Sequence, residues 1–395
     1  MSYMNVKNAY QDRYVYKKPV VENYFENILN DNTPNNIKHH IYIIIPCYNF
    51  ENYIEECLNS IITQNYDNYT CIIINDGTTD NTLNKINSTM NDKMILLNYK
   101  DNKGPAFSKY VGFMKAKELS TPNDIILVLD GDDYLFPDSL SKINNIYCKH
   151  KCLFTYGSCE GENCHQGVDN KDINNYRKEK WLYSHPRSFK SILLNFFDIN
   201  DFKYNDGTWL QKGTDRNFVY KCLELSGKNR IKYINDILYY YRSHQNNTHV
   251  KLDKEFRKKQ VDYTINQPAM SLYVEPIHIL MCSWKRTQYL NDIIKSIQNQ
   301  DIKNPIIFHI VNNNREENEN LTNIVSNYNN NINRKVILYN NNKNLYGYAR
   351  FLKSRQLRKK YFMEYILFID DDQVLPSDYV KQLYNKQIQI DQKSY

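Results

Sequence analysis

Short apolar runs alternate with amphipathic helical segments from residue 41 onwards, and this alternation restricts the fold more than any other feature of the sequence. The run Ile41–Pro46 is the first, and runs at 71–75, 94–98 and 125–129 follow at regular intervals. Such short continuous apolar runs are typical of strands buried on both faces. Strands that alternate with helices indicate right-handed crossovers and a doubly wound, mostly parallel sheet. The predicted fold class is therefore α/β.

The fourth apolar run ends in three carboxylates, Asp130, Asp132 and Asp133. Ligands of doubly wound sheets bind outside the carboxyl ends of the strands, so we expect these acids in one crevice with the loops that follow the first two strands. A pair of carboxylates can hold a hard divalent cation through oxygen ligands. The alternative is an acidic turn in which an aspartate only caps a helix.

The same order of segments starts again near Pro276 and ends in a second acidic group, at 370–372. We therefore predict an internal duplication, although the second copy contains little sequence after its acids. That copy is expected to be either part of a longer protein or a structural or regulatory module. The predicted organisation is an N-terminal arm at 1–38, a first domain at 39–250, a connector at 251–275 and the second copy at 276–395.

Composition excludes some classes of protein. The net charge of +7 is modest for 395 residues and its cations are scattered, which argues against a nucleic-acid binder. No apolar run reaches the ~18 residues of a spanning helix, so a cytoplasmic protein is predicted, in which the nine cysteines are reduced. Cys148, Cys152, Cys159 and Cys164 with His165 match no common zinc spacing. The abundance of Asn, Lys, Ile and Tyr is typical of an AT-rich genome, such as that of a large DNA virus, which would place the protein in a host cytoplasm or virion.

Four segments in order resemble family 2 glycosyltransferases with the GT-A fold: the loops after the first and second strands, the segment at 102–116, and the strand with its aspartates. The resemblance is strong over about 39–250 and fainter over 276–395. It implies a GT-A, Rossmann-like, duplicated fold with a mixed sheet. It also implies an enzyme that transfers a sugar from a nucleoside diphosphate sugar to a hydroxyl group.

The resemblance also implies residue roles on the donor side. Asp132 would be the direct ligand of Mn2+ or Mg2+, with Asp130 near the ribose or the metal and His244 near the metal or the diphosphate. Asp76 would accept a hydrogen bond from uracil, which makes UDP-sugars the first choice of donor. The other predicted nucleotide-binding residues are Pro46, Tyr48, Asn49, Lys103 and Lys109. Lys109 stands where the family often has an arginine, so it lacks the bidentate guanidinium.

On the acceptor side, Asp215 precedes an amphipathic helix and resembles the general base of an inverting transfer. Asp206 is the other candidate for the base. The alternative for Asp215 is that it only caps the N-terminus of the helix. Trp209, Arg242 and His185 are placed by resemblance on the acceptor or diphosphate side. The acceptor hydroxyl belongs to a glycan, protein or lipid, and the transferred sugar is a hexose or an N-acetylhexosamine.

Three classes of function remain open at this stage. The glycosyltransferase is preferred, and a catalytically silent nucleotide- or sugar-binding scaffold is the alternative. A dinucleotide-dependent oxidoreductase would need a glycine-rich turn after the first strand, and 46–52 contains no glycine. In the second copy, Asp370, Asp372 and Arg350 are the corresponding site residues, whereas Asn313 replaces the uracil-type acid.

Overall fold

The computed structural model describes residues 38–162, 164–169, 175–244, 253–328, 331, 333–342, 344–363 and 365–393. The predicted N-terminal arm lies outside these residues except for Lys38. The chain from His39 onwards forms one compact unit that contains two separate β-sheets.

The larger sheet has eight strands in the order β3-β2-β1-β4-β7-β6-β8-β5. The strands β1 to β4 are parallel to one another, β7 is antiparallel to β4 and β6, and β8 runs parallel to β6. The strands are β1 (Ile41–Cys47), β2 (Tyr69–Asp76), β3 (Met94–Tyr99), β4 (Ile125–Val128), β5 (Tyr134–Leu135), β6 (Phe154–Glu160), β7 (Ser184–Lys190) and β8 (Ile231–Tyr240). The sheet is therefore mixed, as predicted.

Helices cover both faces of this sheet. They are α1 (Ile54–Ile62), α2 (Thr82–Thr89), α3 (Pro105–Leu119), α4 (Ser139–Lys149) and α5 (Thr214–Ser226), with short 3-10 segments at Ser191–Phe196, Ile199–Phe202 and Lys228–Arg230. Ile43 of β1 packs in the core cluster that contains residues of α1, whereas Ile44 packs in the one that contains residues of α3. Burial on both faces explains why the strand is apolar throughout, since each fully buried isoleucine stabilises the fold by about 1.5–3 kcal/mol.

The smaller sheet has four parallel strands in the order β11-β10-β9-β12, which repeats the order of the first four strands. Its elements are β9 (Ile277–Ser283), α7 (Leu290–Gln298), β10 (Ile306–Asn312), α8 (Asn318–Ser326), β11 (Arg334–Asn340), α9 (Tyr348–Lys360), β12 (Ile366–Ile369) and α10 (Tyr379–Lys393), with 3-10 turns at Thr287–Tyr289 and Arg315–Glu317. The predicted duplicated α/β fold is confirmed. Among the described residues, the second copy has no counterpart of β6 to β8.

Two features differ from the simple expectation. The charged segment after residue 250 contains a helix, α6 (Lys254–Ile265), which packs against α5 and buries Gln260 and Thr264. The prediction that all nine cysteines are reduced is wrong, because Cys159 and Cys164 form a disulfide with their Cα atoms 5.9 Å apart. The turn after β6 brings the two residues together, a contact that the spacing alone does not specify. No helix in the described part of the chain is long and apolar enough to cross a membrane.

Candidate active site

The loops at the carboxyl ends of β1, β2 and β4 surround a cavity of about 490 Å3, which the starts of α3 and α5 also line. Gly77 lies in the loop after β2, where its φ of +69° and the close approach of the Asn102 backbone leave no room for a side chain. Eight of the predicted site residues line the cavity: Pro46, Tyr48, Asp76, Lys109, Asp130, Asp132, His185 and Asp215.

Asp133 anchors the acidic loop to β8. One of its carboxylate oxygens accepts a 2.7 Å hydrogen bond from the Tyr239 hydroxyl, and the other accepts a 2.7 Å bond from the backbone N–H of Arg242. The carboxyl group is almost fully buried, and burial raises its pKa well above the usual value, with Asp132 and Asp130 adding to the effect. Both oxygens of Asp133 are therefore engaged in holding the loop.

Asp132 faces the cavity and contacts His244. The Nε2 atom of His244 lies 2.9 Å from one carboxylate oxygen of Asp132, and the imidazole packs against Tyr53 with ring centroids 4.7 Å apart. Among the described residues, no group of three or more His, Cys, Asp or Glu side chains is arranged to hold a metal ion. The Asp132 carboxylate is nevertheless a donor type that suits Mn2+ and Mg2+, and the His244 imidazole is a common ligand of transition metals. Mg2+ and Mn2+ at phosphate sites commonly take only one or two protein ligands and complete their shell with phosphate and water, so the pair fits such an ion.

Lys109 joins the strand-tip acids to Asp215 of α5. Its ammonium, on the second turn of α3, lies 3.9 Å from Asp130 and 2.5 Å from Asp215. Burial raises the pKa of Asp130 to about 6, and Lys109 opposes this rise. Lys109 is only 4% exposed. It is therefore a buried cation held between two carboxylates.

Asp215, in the first turn of α5, has a second cation beside it. Arg187 of β7 lies 2.9 Å from the other carboxylate oxygen, while the Asp215 side chain remains 31% exposed to the cavity. Burial raises the pKa of Asp215, but Lys109 and Arg187 lower it by more, so that it lies well below its usual value. Asp215 is therefore ionised at neutral pH. The rival, Asp206, instead bonds to Thr208 in a neighbouring groove.

Asp76 is buried at the end of β2 and holds the loop that precedes α3. Its two carboxylate oxygens accept hydrogen bonds from the backbone N–H groups of Lys103, at 3.0 Å, and Gly104, at 2.7 Å. Burial raises its pKa, and these hydrogen bonds oppose the rise. Each oxygen of Asp76 retains a further lone pair, so its contacts with the loop leave acceptor capacity on the cavity side.

Five predicted site residues do not line the cavity: Asn49, Lys103, Trp209, Arg242 and His244. The side chain of Asn49 accepts a 2.8 Å hydrogen bond from the backbone of Thr79 and so joins two loops. Lys103 and Trp209 line the neighbouring groove. Arg242 donates a 2.9 Å hydrogen bond to the carbonyl oxygen of Asp132 and pairs with Glu56, so it holds the acidic loop from outside.

The sequence assigned no role to four residues that shape the α5 side of the cavity. Arg187 pairs with Asp215, and Trp181, Lys212 and Arg216 line the cavity. The resemblance points to the neighbouring His185, but a strand of mixed polar residues does not show which side chain reaches across to α5. The ring of His185 lies 4.4 Å from that of Tyr239, and burial lowers its pKa well below the usual value.

In the second copy, arginines pair with the acids that follow the fourth strand, β12. Arg350 of α9 pairs with Asp370 at 2.9 Å, and Arg286 pairs with Asp372 and lies 3.6 Å from Asp371. Each of the three carboxylates is therefore matched by a guanidinium from the same copy. Asn313 is buried, and its amide donates a 2.9 Å hydrogen bond to the carbonyl oxygen of Tyr346.

Comparison with known proteins defines the class. The family model described as "Glycosyl transferase family 2" matches residues 42–213 and 278–392, which is well over half of the chain. The chain therefore belongs to glycosyl transferase family 2, and the predicted duplicated, GT-A-like architecture is confirmed. The first match ends two residues before Asp215.

Individual relatives match in part. A UDP-N-acetylglucosamine–dolichyl-phosphate N-acetylglucosaminyltransferase of Methanococcus voltae is 35% identical over 26% of this chain and 45% of its own length. A hyaluronan synthase of Pasteurella multocida is 26% identical over 58% of this chain and 24% of its length. The chain thus spans less than half of either curated relative. The crystal structure of S. aureus TarS 1-349 in complex with UDP-GlcNAc is similar at 20% identity and a TM-score of 0.41, over 58% of this chain and 68% of that chain.

Proposed function

We propose that the first domain is a metal-dependent inverting glycosyltransferase that uses a UDP-sugar. The observation that carries the proposal is that a candidate metal ligand and a candidate general base meet at one cavity. Asp132, with His244 beside it, stands at the strand tip, and Asp215 reaches the same cavity from a different helix. Family membership supports the transfer chemistry, and the choice of UDP rests on Asp76.

Asp132 and His244 would hold Mn2+ or Mg2+ against the diphosphate, where the ion supplies counter-charge to the leaving group. Lys109 adds a fixed positive charge beside Asp130. Tyr48 and Pro46 offer apolar surface to the base, and Asp76 offers a carboxylate oxygen to the uracil ring N–H. Each of these groups acts on the donor before any bond changes.

Asp215 would act as the general base. As the acceptor oxygen attacks the anomeric carbon, its proton moves to a carboxylate oxygen of Asp215, and the nucleoside diphosphate leaves with the electron pair of the broken C–O bond. Lys109 and Arg187 keep Asp215 ionised and fix its orientation. The same two cations make it a weaker base, so its contribution depends on placement as much as on basicity.

The transferred sugar is proposed to be a hexose or an N-acetylhexosamine, and the acceptor a glycan, protein or lipid hydroxyl. The name of the Methanococcus relative favours the N-acetylhexosamine, and that argument is limited to the quarter of the chain that matches. A silent binding scaffold is the alternative function, because the ion pairs of Asp215 also have a structural value.

A panel of nucleotide sugars tests the proposal. UDP-hexoses and UDP-N-acetylhexosamines should be hydrolysed slowly in Mn2+ or Mg2+, and should raise the thermal unfolding temperature only when the metal is present. Excess EDTA should remove both effects. Metal-dependent binding without hydrolysis or transfer would favour the scaffold, and full activity in EDTA would contradict the metal.

A further inference from the structure

Two cations on the α5 side of the cavity have no acidic partner among the residues that the structure describes. Lys212 and Arg216 both line the cavity. In the described part of the chain, neither makes an ion pair with a carboxylate, although Arg216 donates a 2.8 Å hydrogen bond to the Tyr220 hydroxyl. The nearest acid, Asp215, is already paired with Lys109 and Arg187. The wall around the proposed base therefore carries more positive charge than its own acids neutralise.

The surroundings of Lys212 disfavour its charged form when no anion is bound. Burial lowers the pKa of Lys212, Asp215 opposes that effect, and Lys109 and Arg257 lower the pKa further. A lysine kept half-buried beside two other cations is stabilised when an anion binds. The backbone supports this position, because the N–H groups of Gln211 and Lys212 both donate to the side-chain oxygen of Gln260, at 2.7 Å and 2.8 Å.

An aromatic face lies next to these cations. The guanidinium of Arg216 lies 4.6 Å from the ring centroid of Trp181, and that of Arg187 lies 5.4 Å from it. Trp181 lines the same cavity. Both guanidiniums lie over the indole, which holds them by cation–π attraction, and Arg216 keeps N–H groups that can bind a carboxylate or phosphate. This edge of the cavity therefore suits an anionic group of a ligand.

We infer that the acceptor is an acidic saccharide, whose carboxylate or phosphate binds Lys212 and Arg216 while one of its hydroxyls reaches Asp215. The inference rests on the proposed function, because Asp215 defines where the reacting hydroxyl lies. Lys109 and Arg187 hold the base, Trp181 orients the guanidinium of Arg216, and Lys212 and Arg216 select the charge. A neutral saccharide would leave both cations without a counter-charge.

Transfer assays with three probes test the inference. Glucose, glucuronic acid and glucose 6-phosphate are compared as acceptors at constant ionic strength, with the UDP-sugar that the enzyme hydrolyses best. At least one acidic probe should have a KM tenfold or more below that of glucose, and the better probe distinguishes carboxylate from phosphate. Lys212→Gln and Arg216→Gln should each raise that KM about tenfold, with the donor KM unchanged.

The control is Lys228→Gln, which removes an exposed cation outside the cavity and should change neither KM. Equal use of glucose and both acids would overturn the inference. A rise in the donor KM in Lys212→Gln or Arg216→Gln would also overturn it, because the cations would then bind the donor diphosphate.

A binding measurement separates this inference from the proposed function. Without donor, glucuronic acid or glucose 6-phosphate should raise the thermal unfolding temperature of the parent, and the double variant Lys212→Gln/Arg216→Gln should lose the shift. If no UDP-sugar binds but this shift is present, the donor assignment fails and the anion site stands. If UDP-sugars bind and neither acid produces the shift, the anion site fails alone.

Discussion

The two copies of the GT-A-like half end their fourth strand in similar acids but neutralise them differently. In the first copy, Asp132 contacts His244 and stays at the cavity. Within the described residues, Asp130 is the one acid of this tip whose carboxylate forms an ion pair with a lysine or arginine, Lys109, at 3.9 Å. In the second copy, Arg350 and Arg286 pair with all three acids. The comparison teaches that an acidic strand tip is not by itself a metal site, since the charges placed around it decide what it can bind.

The copies differ equally in the elements that come after the acids. The first copy continues into β6, β7, α5 and β8, which supply Arg187, Asp215 and the strand before His244. The described residues of the second copy end in the single helix α10. Phe362 of the second copy packs in the core cluster of the first domain that contains residues of α5. Because its acids pair with arginines and Phe362 packs in the core of the first domain, we propose a structural role for the second copy.

Removal of the proposed metal ligand should have the largest effect. Asp132→Asn keeps the size of the side chain but removes the charge, so turnover and metal-dependent nucleotide binding should both be lost. Turnover and Mn2+-dependent protection by UDP against thermal unfolding would measure this. Asp138→Asn, just before α4, is a matched control, because that residue is exposed and its φ of +62° suits asparagine. Turnover within tenfold of the parent would contradict the role of Asp132.

Removal of the proposed base should have the next largest effect. Asp215→Asn should lower kcat roughly a hundred- to ten-thousand-fold and leave the donor KM nearly unchanged, because general-base catalysis is worth about that much. An α-linked donor should give a β-linked product, which NMR of the product would show. Asp206→Asn, in the neighbouring groove, should retain nearly full activity. Retention of the α configuration would mean that the reaction is not a single inverting displacement.

Sequence reasoning succeeded where a property repeats along the chain and failed where distant side chains meet. The apolar runs located β1 to β4 and β9 to β12, and the rule that ligands bind at strand ends brought Asp130 and Asp132 to the cavity. The strand β7 was not predicted, because the sequence SHPRSFK is mostly polar although all seven residues are buried.

The side-chain pairs of the site were also beyond prediction. Asp215 meets Lys109 of α3 and Arg187 of β7, and Asp133 meets Tyr239 of β8, through packing between elements far apart in sequence. Asn49 and Lys103 were predicted at the nucleotide but lie outside the cavity wall. A residue type at a strand end shows which group is available, whereas its direction depends on the tertiary structure.

A buried pair of histidines should make the stability of the second copy depend on pH. His278 and His309 are fully buried, with their ring nitrogens 2.9 Å apart, and burial lowers their pKa values to about 4 and about 3. Tyr339, Tyr361, Lys353 and Lys360 surround the pair. The strand register places Tyr42 and Ile72 at the corresponding positions of the first copy.

Because both folded-state pKa values lie below the ordinary 6.5, the unfolded chain binds more protons below that pH. Stability should therefore be complete above pH 6.5 and fall toward pH 4, by up to about 1.4 kcal/mol per pH unit for each histidine. Hydrogen exchange of β9 and β10 between pH 7 and 5, corrected for intrinsic rates, would measure it. His309→Leu should flatten the dependence, whereas His165→Gln, at an exposed residue, should not. The same slope in His309→Leu would remove His309 as the cause.

The smallest effect is expected at the acid of the second copy that corresponds to Asp132. Asp372 pairs with Arg286 and is 46% exposed, so Asp372→Asn removes an exposed ion pair worth less than about 1 kcal/mol. If the arginines make this tip inert, turnover and metal dependence should stay within about twofold of the parent.

The double variant Arg286→Gln/Arg350→Gln tests the converse, because it leaves the acids of the second copy without their arginine partners. A new Mn2+-binding event in that variant, seen by calorimetry and abolished by adding Asp372→Asn, would show that charge pairing is what separates the copies. A strong loss of turnover in Asp372→Asn alone would instead give the second copy a part in the reaction.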